Sequence, residues 1–168
     1  MAKNIQSQIV DENDNVIGAV DFVELKKHGY IHRLVRVIIV NSDGKYLMQR
    51  RAKVMSSYAN CWDFASAGHV DAGETYEIAA TRELKEELGL TGIALKEVGY
   101  YFNELPSPSN VKRFIKVFTG SSDETPTDLQ EDEVTEVDWL TKAEIKELIK
   151  TSPDLVTDGL LYLTENYI

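Results

Sequence analysis

The chain has 168 residues, a formal net charge of −10, 43% apolar and 27% charged residues, which suits one globular domain with a sizeable core and is short for two. So acidic a chain is ill-suited to a nucleic-acid polymer or an anionic membrane, since both call for a basic surface. Cys61 is the single cysteine, so no intrachain disulfide is possible; no apolar run reaches membrane-spanning length, and MAKNIQSQ lacks the apolar core of a signal peptide, so the expected compartment is the cytoplasm.

Residues 4–10 and 15–22 flank the turn-rich Asp11–Asn15 and predict a β-hairpin. Residues 23–30 form a short helix or connector carrying Lys26, Lys27 and His28. Residues 31–40, IHRLVRVIIV, are β-branched and apolar toward the end, which predicts a strand buried on both faces. Asn41–Gly44 is a hairpin turn and Tyr46–Arg51 the returning strand. From Lys26 to Lys53 there are eight Lys or Arg and one acid, Asp43. That asymmetry fits either a solvated patch paired with acids elsewhere or Arg33, Arg36, Arg50 and Arg51 offering bidentate hydrogen bonds to phosphate. Arg36 shares a face with Leu34, Ile38 and Val40, so it is partly buried or lines a cleft.

Residues 52–61 are a loop, and Trp62–Ala67 a short strand entering the glycine-containing loop Gly68–Gly73. Trp62 either stacks on a nucleobase or belongs to the core, and Trp139 reads as core. A helix of about four turns starts near Thr75 and stops at Gly89, since glycine takes the left-handed conformation at helix ends. Ile93–Asn103 and Val111–Thr119 are strands joined by a turn at 105–110. Residues 120–133 are a polar loop with six acids, of a length that is usually functional or disordered. Val134–Leu140 is a final strand, Thr141 and Glu144 form a capping box, and Ser152-Pro153 starts a last helix docked by Leu155, Leu160 and Leu163. The order predicts a single α+β domain over residues 1–168, with helices on both sides of a mixed sheet.

The chemistry concentrates in Gly68–Leu90. Glu83, Glu86 and Glu87 stand at i, i+3 and i+4, so their carboxylates share a helix face, while Ala80, Leu84 and Leu88 form an apolar stripe on another. Crowded carboxylates are tolerated on a solvated face or around a cation, and hard divalent ions prefer such oxygens and bridge to phosphate. Arg82 lies one turn from Glu86 and can orient a carboxylate. The set Gly68, Glu74, Arg82, Glu83, Leu84, Glu86, Glu87, Gly89 and Leu90 resembles, without a departure, the signature of the Nudix (MutT-like) hydrolases, G-x5-E-x7-R-E-U-x-E-E-x-G-U, U being a bulky aliphatic residue. The similarity extends from about Leu34 to Leu148.

The resemblance implies an α/β/α sandwich and hydrolysis of a diphosphate linkage in a nucleoside diphosphate derivative or nucleotide, by water attack on phosphorus with Mg²⁺ or Mn²⁺. It implies Glu83, Glu86 and Glu87 as metal ligands, the carbonyl of Gly68 as another, Glu74 as support of the loop and Arg82 as an orienting residue. It further implies a general base in a loop outside the signature, for which Glu131 and Glu133 are the candidates; Arg36, Arg50, Arg51 and Trp62 are candidates for substrate binding, and His69 for a contact to phosphate or metal. The N-terminal half also resembles the isopentenyl-diphosphate isomerase branch of the family, through the leading hairpin, His32, the Arg50-Arg51 pair and Gly68-His69. That branch uses a cysteine just before Gly-His and a glutamate pair on a later strand; here Ala67, and Lys112, Arg113 and Lys116, stand in their places, so no isomerase activity is expected. A non-catalytic, nucleotide-sensing Nudix module is the third alternative. The hairpin is expected to cover the cleft or to form a contact in a homodimer.

Overall fold

The strand β3 (Ile31–Val40) is the axis of the fold. The computed structural model describes residues 6–105 and 111–168. Val35, Val37 and Ile39 are fully buried on one face of β3 and Ile38 is buried on the other, as a run of β-branched residues covered on both sides requires. β8 (Val111–Ser121) lies parallel to β3 along its whole length, from Ile31↔Lys112 to Val40↔Ser121. The opposite edge of β3 takes β1 (Ser7–Val10) at Ile9↔His32, then β6 (Ser66–His69) at Leu34↔His69 through Val37↔Ser66. β2 (Val16–Val20) pairs with β1, and β7 (Lys96–Leu105) with β8.

β4 (Tyr46–Arg51) meets β3 only at Val40↔Tyr46. It then diverges to lie between β5 (Trp62–Phe64) and β9 (Val134–Leu140). This divergence corrects the expected single strand at Trp62–Ala67. The chain leaves β4, bends at the fully buried Ala65, and joins β3 as β6. The bend delivers Gly68 to the centre of the sheet, opposite Val35.

Two further boundaries differ from expectation. The strand expected from Ile93 starts at Lys96, because Ile93 and Leu95 pack against the core without strand pairing. The expected turn at 105–110 lies outside the described residues beyond Leu105, as do residues 4 and 5 of the expected hairpin. The last helix does not start at Ser152-Pro153. Pro153–Leu155 makes one 3₁₀ turn, Val156 and Thr157 are buried against Trp62, and α4 (Asp158–Asn166) starts from the Thr157 cap. Burial of Val156 forces the interruption, and Leu155 is only partly buried, while Leu160 and Leu163 are fully buried. The connector at 23–30 is a helix, α1 (Phe22–His28), opened by the Asp21 cap and closed by left-handed Gly29.

Helices cover both sides. α2 (Tyr76–Leu88) lays Ala79, Ala80, Leu84 and Leu88 on Val35, Val37, Ile39 and Phe118. α3 (Lys142–Thr151), opened by the Thr141–Glu144 capping box, and α4 bury Ile145, Leu160 and Leu163 against Ile38, Met48, Phe64 and Val117. Each such side chain contributes about 1.5–3 kcal/mol by leaving water. The result is an α/β/α arrangement on a mixed sheet. The hairpin closes over its own chain: the Gln8 amide donates to the carbonyls of Asp71 and Glu74, and the Gln8 N–H to Val70.

Candidate active site

Arg82 is the hub that ties α2 to the loop after β6. Its Nε and Nη2 donate to Glu74 at 2.7 and 2.8 Å, and Nη2 also donates to the His69 carbonyl at 2.9 Å. Nη1 donates to Glu83 at 2.8 Å and to Glu86 at 3.0 Å. Glu74 in turn accepts the Asp71 N–H at 3.0 Å, which closes the loop on itself. These carboxylates hold the Arg82 guanidinium firmly in its charged form, the Glu74 bond being the main cause.

Gly68 has no room for a side chain: a Cβ there would stand 2.0 Å from the Glu83 carboxylate. The Glu83 carboxyl group is thus pressed against the loop backbone. Gly68→Ala is expected to displace Glu83 and lower turnover about a hundredfold, with a melting temperature within a few degrees of wild type. Steady-state kinetics beside a melting curve measures both.

The three helix carboxylates differ in environment. Glu86 is half-exposed and Glu83 largely covered. Glu87 is 2% exposed and points beneath the helix, where Gln49 of β4 donates to it at 2.8 Å. Burial, with Glu83 and Glu133 nearby, drives the Glu87 carboxyl well above the ordinary range. Burial pushes Glu83 up to about 7; Arg82 opposes this, and Glu133 and Glu86 reinforce it. Glu133 is raised by burial and by Asp132. A set of carboxylates so reluctant to ionise together calls for positive charge in their midst.

The acidic loop at 120–133 is docked on α2. The Gln130 N–H donates to the Glu87 carbonyl at 3.1 Å, the Ala52 N–H to the Glu133 carbonyl at 2.8 Å, and the Gln130 amide to the Glu133 side chain at 2.9 Å. This brings Glu133 to the wall of a cavity of about 640 Å³ that also presents Gly68, Arg82, Glu83, Glu86 and Arg51. Glu131 is exposed and does not line the cavity. Among the described residues, no three His, Cys, Asp or Glu side chains already stand in a coordinating cluster; the acids are held by Arg82, Gln49 and Gln130.

The other candidates separate. Arg51 lines the cavity and donates to the Ser57 carbonyl. Arg50 turns to Glu136 at 3.2 Å and over the Trp62 ring, and neither Arg50 nor Trp62 lines the cavity. Arg33 is paired with Asp14 at 2.7 Å. Arg36 lines the far end of the cavity but is 4% exposed and is held by Asp63 at 3.2 Å and Asp158 at 3.4 Å. Arg113 joins Asp158 at 3.0 Å. Asp63, Asp158, Arg113 and Gln49 escaped the sequence because each is defined by a partner distant in the chain; only their polar character in otherwise apolar surroundings hinted at them.

His69 faces the cavity beside His32, with ring centroids 5.0 Å apart. Burial pushes His32 down to about 4, Arg113 adding to the effect while the Tyr30 carbonyl opposes it, so His32 is neutral in the fold. The unfolded chain accepts that proton near pH 6.5. Stability is therefore present above pH 6.5 and is lost as the pH falls toward 4. His32→Gln is expected to lose on the order of 2 kcal/mol less than wild type between pH 7 and 4.5, read from urea midpoints.

A model of the NUDIX domain matches residues 31–158. The chain belongs to the Nudix family. The Pseudomonas aeruginosa protein named uncharacterized Nudix hydrolase PA4841 is 37% identical over 131 residues, 78% of this chain and 75% of that one. Isopentenyl-diphosphate Delta-isomerase 2 of Photorhabdus laumondii is 31% identical over 151 residues, 89% of this chain and 84% of its own length. The crystal structure of DR0079 from Deinococcus radiodurans superposes with a TM-score of 0.80 at 25% identity, over 97% of this chain and 99% of that one. Family and relatives make the protein an enzyme of the Nudix hydrolase class. The Nudix match begins at residue 31, so the hairpin and α1 are additions to the matched segment. Among the described residues, no helix is long and apolar enough to cross a membrane.

Proposed function

We propose that the enzyme hydrolyses the diphosphate linkage of a small nucleoside diphosphate derivative, or of a nucleoside di- or triphosphate, with the aid of Mg²⁺ or Mn²⁺. The observation that carries this reading is the meeting of Glu83, Glu86 and Glu133 around one cavity with Gly68 and the cation of Arg51. The donor set suits a hard divalent ion. It is all oxygen, Glu83, Glu87 and Glu133 resist ionising together, and the bare Gly68 backbone is pressed against Glu83. Glu83 and Glu86 would hold the ion beside the Gly68 backbone, while Glu87, buried beneath the helix on Gln49 and off the cavity wall, would add negative charge from below. When bound, it would neutralise phosphate charge and make water more acidic.

The protein's own groups do the rest. Arg51 binds phosphate oxygens, for which a guanidinium fork is well shaped. Arg82, already saturated by Glu74, Glu83, Glu86 and the His69 carbonyl, keeps helix and loop in register. Glu133, with its raised affinity for a proton and its carboxylate held by Gln130, accepts the proton of the attacking water. The water oxygen forms a new bond to phosphorus, the bridging P–O bond breaks, and the departing phosphate leaves with the former bridge oxygen. Exposed Glu131 has no such position, so Glu133 is the assigned base.

The isomerase-named relative and the adjacent His32 and His69 favour a second reading, isomerisation of a prenyl diphosphate. Against it, the cavity wall carries Ala67, and Cys61 is buried beside the Asp154 carbonyl, off the cavity. A screen of nucleotides, nucleotide sugars, dinucleoside polyphosphates and prenyl diphosphates with Mg²⁺ or Mn²⁺, followed by product identification, tests both. Release of a phosphate-containing product supports hydrolysis. No such product from any nucleotide sinks it, and an allylic isomer from isopentenyl diphosphate would replace it.

A further inference from the structure

A second chamber of about 480 Å³ adjoins the active-site cavity, and the two meet along Phe22, Ser56–Tyr58, His69 and Arg113. Its other walls come from Leu25, Lys26, Tyr30 and His32, and from Leu105 and Val111 at the far end of the sheet. In a chain of net charge −10, no described Asp or Glu lines it, while Lys26 and Arg113 do.

The positive character extends beyond that count. Arg113 is held down from its ordinary value by burial and by the neighbouring Arg36 charge, with Asp158 only partly compensating. Lys26 has no carboxylate within ion-pair distance among the described residues; it leans on the Phe22 ring at 4.5 Å and reaches Ser56 at 3.5 Å. The His69 ring, 5.0 Å from that of His32, adds a polar edge to the wall, while the His32 Nδ1–H is already donated to the Tyr30 carbonyl. Cations without a carboxylate on the wall favour an anion over a cation there, and the aromatic and aliphatic walls would shield its charge from water.

We infer that the second chamber, built by α1 and the ends of β3, β6 and β8, binds a negatively charged group at the far end of the substrate, a carboxylate or a further phosphate. The inference rests on the hydrolase reading for what enters the first cavity, but the chamber can be probed without turnover. The diphosphate would lie against the carboxylate wall and Arg51, and the organic group X would cross the seam at His69 and Tyr58 toward Lys26. A neutral-ended substrate would leave Lys26 without a counter-charge, so the enzyme would discriminate against it. Because Phe22, Leu25, Lys26 and Tyr30 precede residue 31, this selectivity would belong to the segment added before the matched domain.

Two measurements test it on the full chain. The first is titration of the Glu86→Gln protein with inorganic phosphate while following the ring signals of ¹⁵N-labelled His32 and His69. Saturable shifts of both rings are expected, with an apparent affinity at least tenfold weaker after Lys26→Glu or Lys26→Gln. Unmoved rings, or a change under threefold in both variants, overturn the chamber assignment. The second compares kcat/KM for a nucleotide hexose, its hexuronate counterpart and its sugar-phosphate counterpart. A preference of about tenfold or more for either anionic substrate is expected, collapsing toward unity in Lys26→Glu; which of the two is preferred separates carboxylate from phosphate. Equal rates for all three overturn the inference and leave hydrolysis standing. No turnover of any of the three excludes nucleotide sugars as substrates and leaves the hydrolase reading to the wider screen, and the phosphate titration then decides the chamber alone.

Discussion

Glu86→Gln is expected to lower metal-dependent turnover about a thousandfold, with a melting temperature within a degree or two of wild type. Glu86 lies on the cavity wall, and its side chain is 53% exposed, so removing its charge creates no buried unpaired group. The amide can still accept from Arg82, which keeps the hub intact. What disappears is one unit of negative charge where a cation and a polyanion must be balanced. Turnover measured across a Mg²⁺ titration locates the loss. A rate restored at high Mg²⁺ marks a lost ligand, and a rate that stays low marks lost chemistry. Activity within tenfold of wild type at every Mg²⁺ concentration would remove Glu86 from the site. Beside it, Glu133→Gln is expected to cost more in kcat than Glu131→Gln, and the reverse order would move the base to Glu131.

The second large effect is on stability. Arg36→Met is expected to cost about 3–5 kcal/mol, because Asp63 is then left buried without its counter-charge. For a chain of this size that corresponds to a fall in melting temperature of roughly ten degrees. The double variant Arg36→Met with Asp63→Asn is expected to recover part of the loss, since no charge then stays uncompensated. The geometry around Arg36 is tight as well. A Cβ on Gly159 would stand 1.6 Å from its Nη1, so the first turn of α4 rests directly on the guanidinium. Were Arg36 chiefly a substrate contact, KM would rise with an unchanged melting temperature, and the structural assignment would fall.

That outcome bears on how much of the site the sequence could disclose. Arg36 was legible as an unusual cation on an apolar face, but its two acids come from Asp63 and from Asp158, 122 positions away. The alternation of Leu34, Arg36 and Ile38 carries no trace of either. The loop and helix at 68–90 were legible almost entirely, because caps, glycines and carboxylates there interact within two or three helical turns. Even so, the i, i+3, i+4 spacing of Glu83, Glu86 and Glu87 concealed that Glu87 turns inward to Gln49, on a strand far earlier in the chain. Local rules gave the Thr141 capping box and the buried β3. They did not give the bend at Ala65 or the late start of α4, since both arise from where other strands and Val156 must go. The second chamber was illegible for the same reason: Lys26, His32, His69 and Arg113 come from four separate segments.

The parallel pairing of β3 with β8 also governs how the molecule must assemble in time. Every partner of β8 on β3 lies roughly eighty positions earlier in the chain. The next strand, β4, offers β3 a single pair, Val40↔Tyr46, so no β3–β4 hairpin zips the centre of the sheet. Loop-closure entropy for the long connection is therefore met before any β3–β8 hydrogen bond forms. A nascent chain emerging from the ribosome lacks β8 until position 121 is exposed, and β3 then stands with one long edge unpaired. Refolding should be slow for the chain's length, and the amides of β3 should be the last to exchange with deuterium once the sheet has closed.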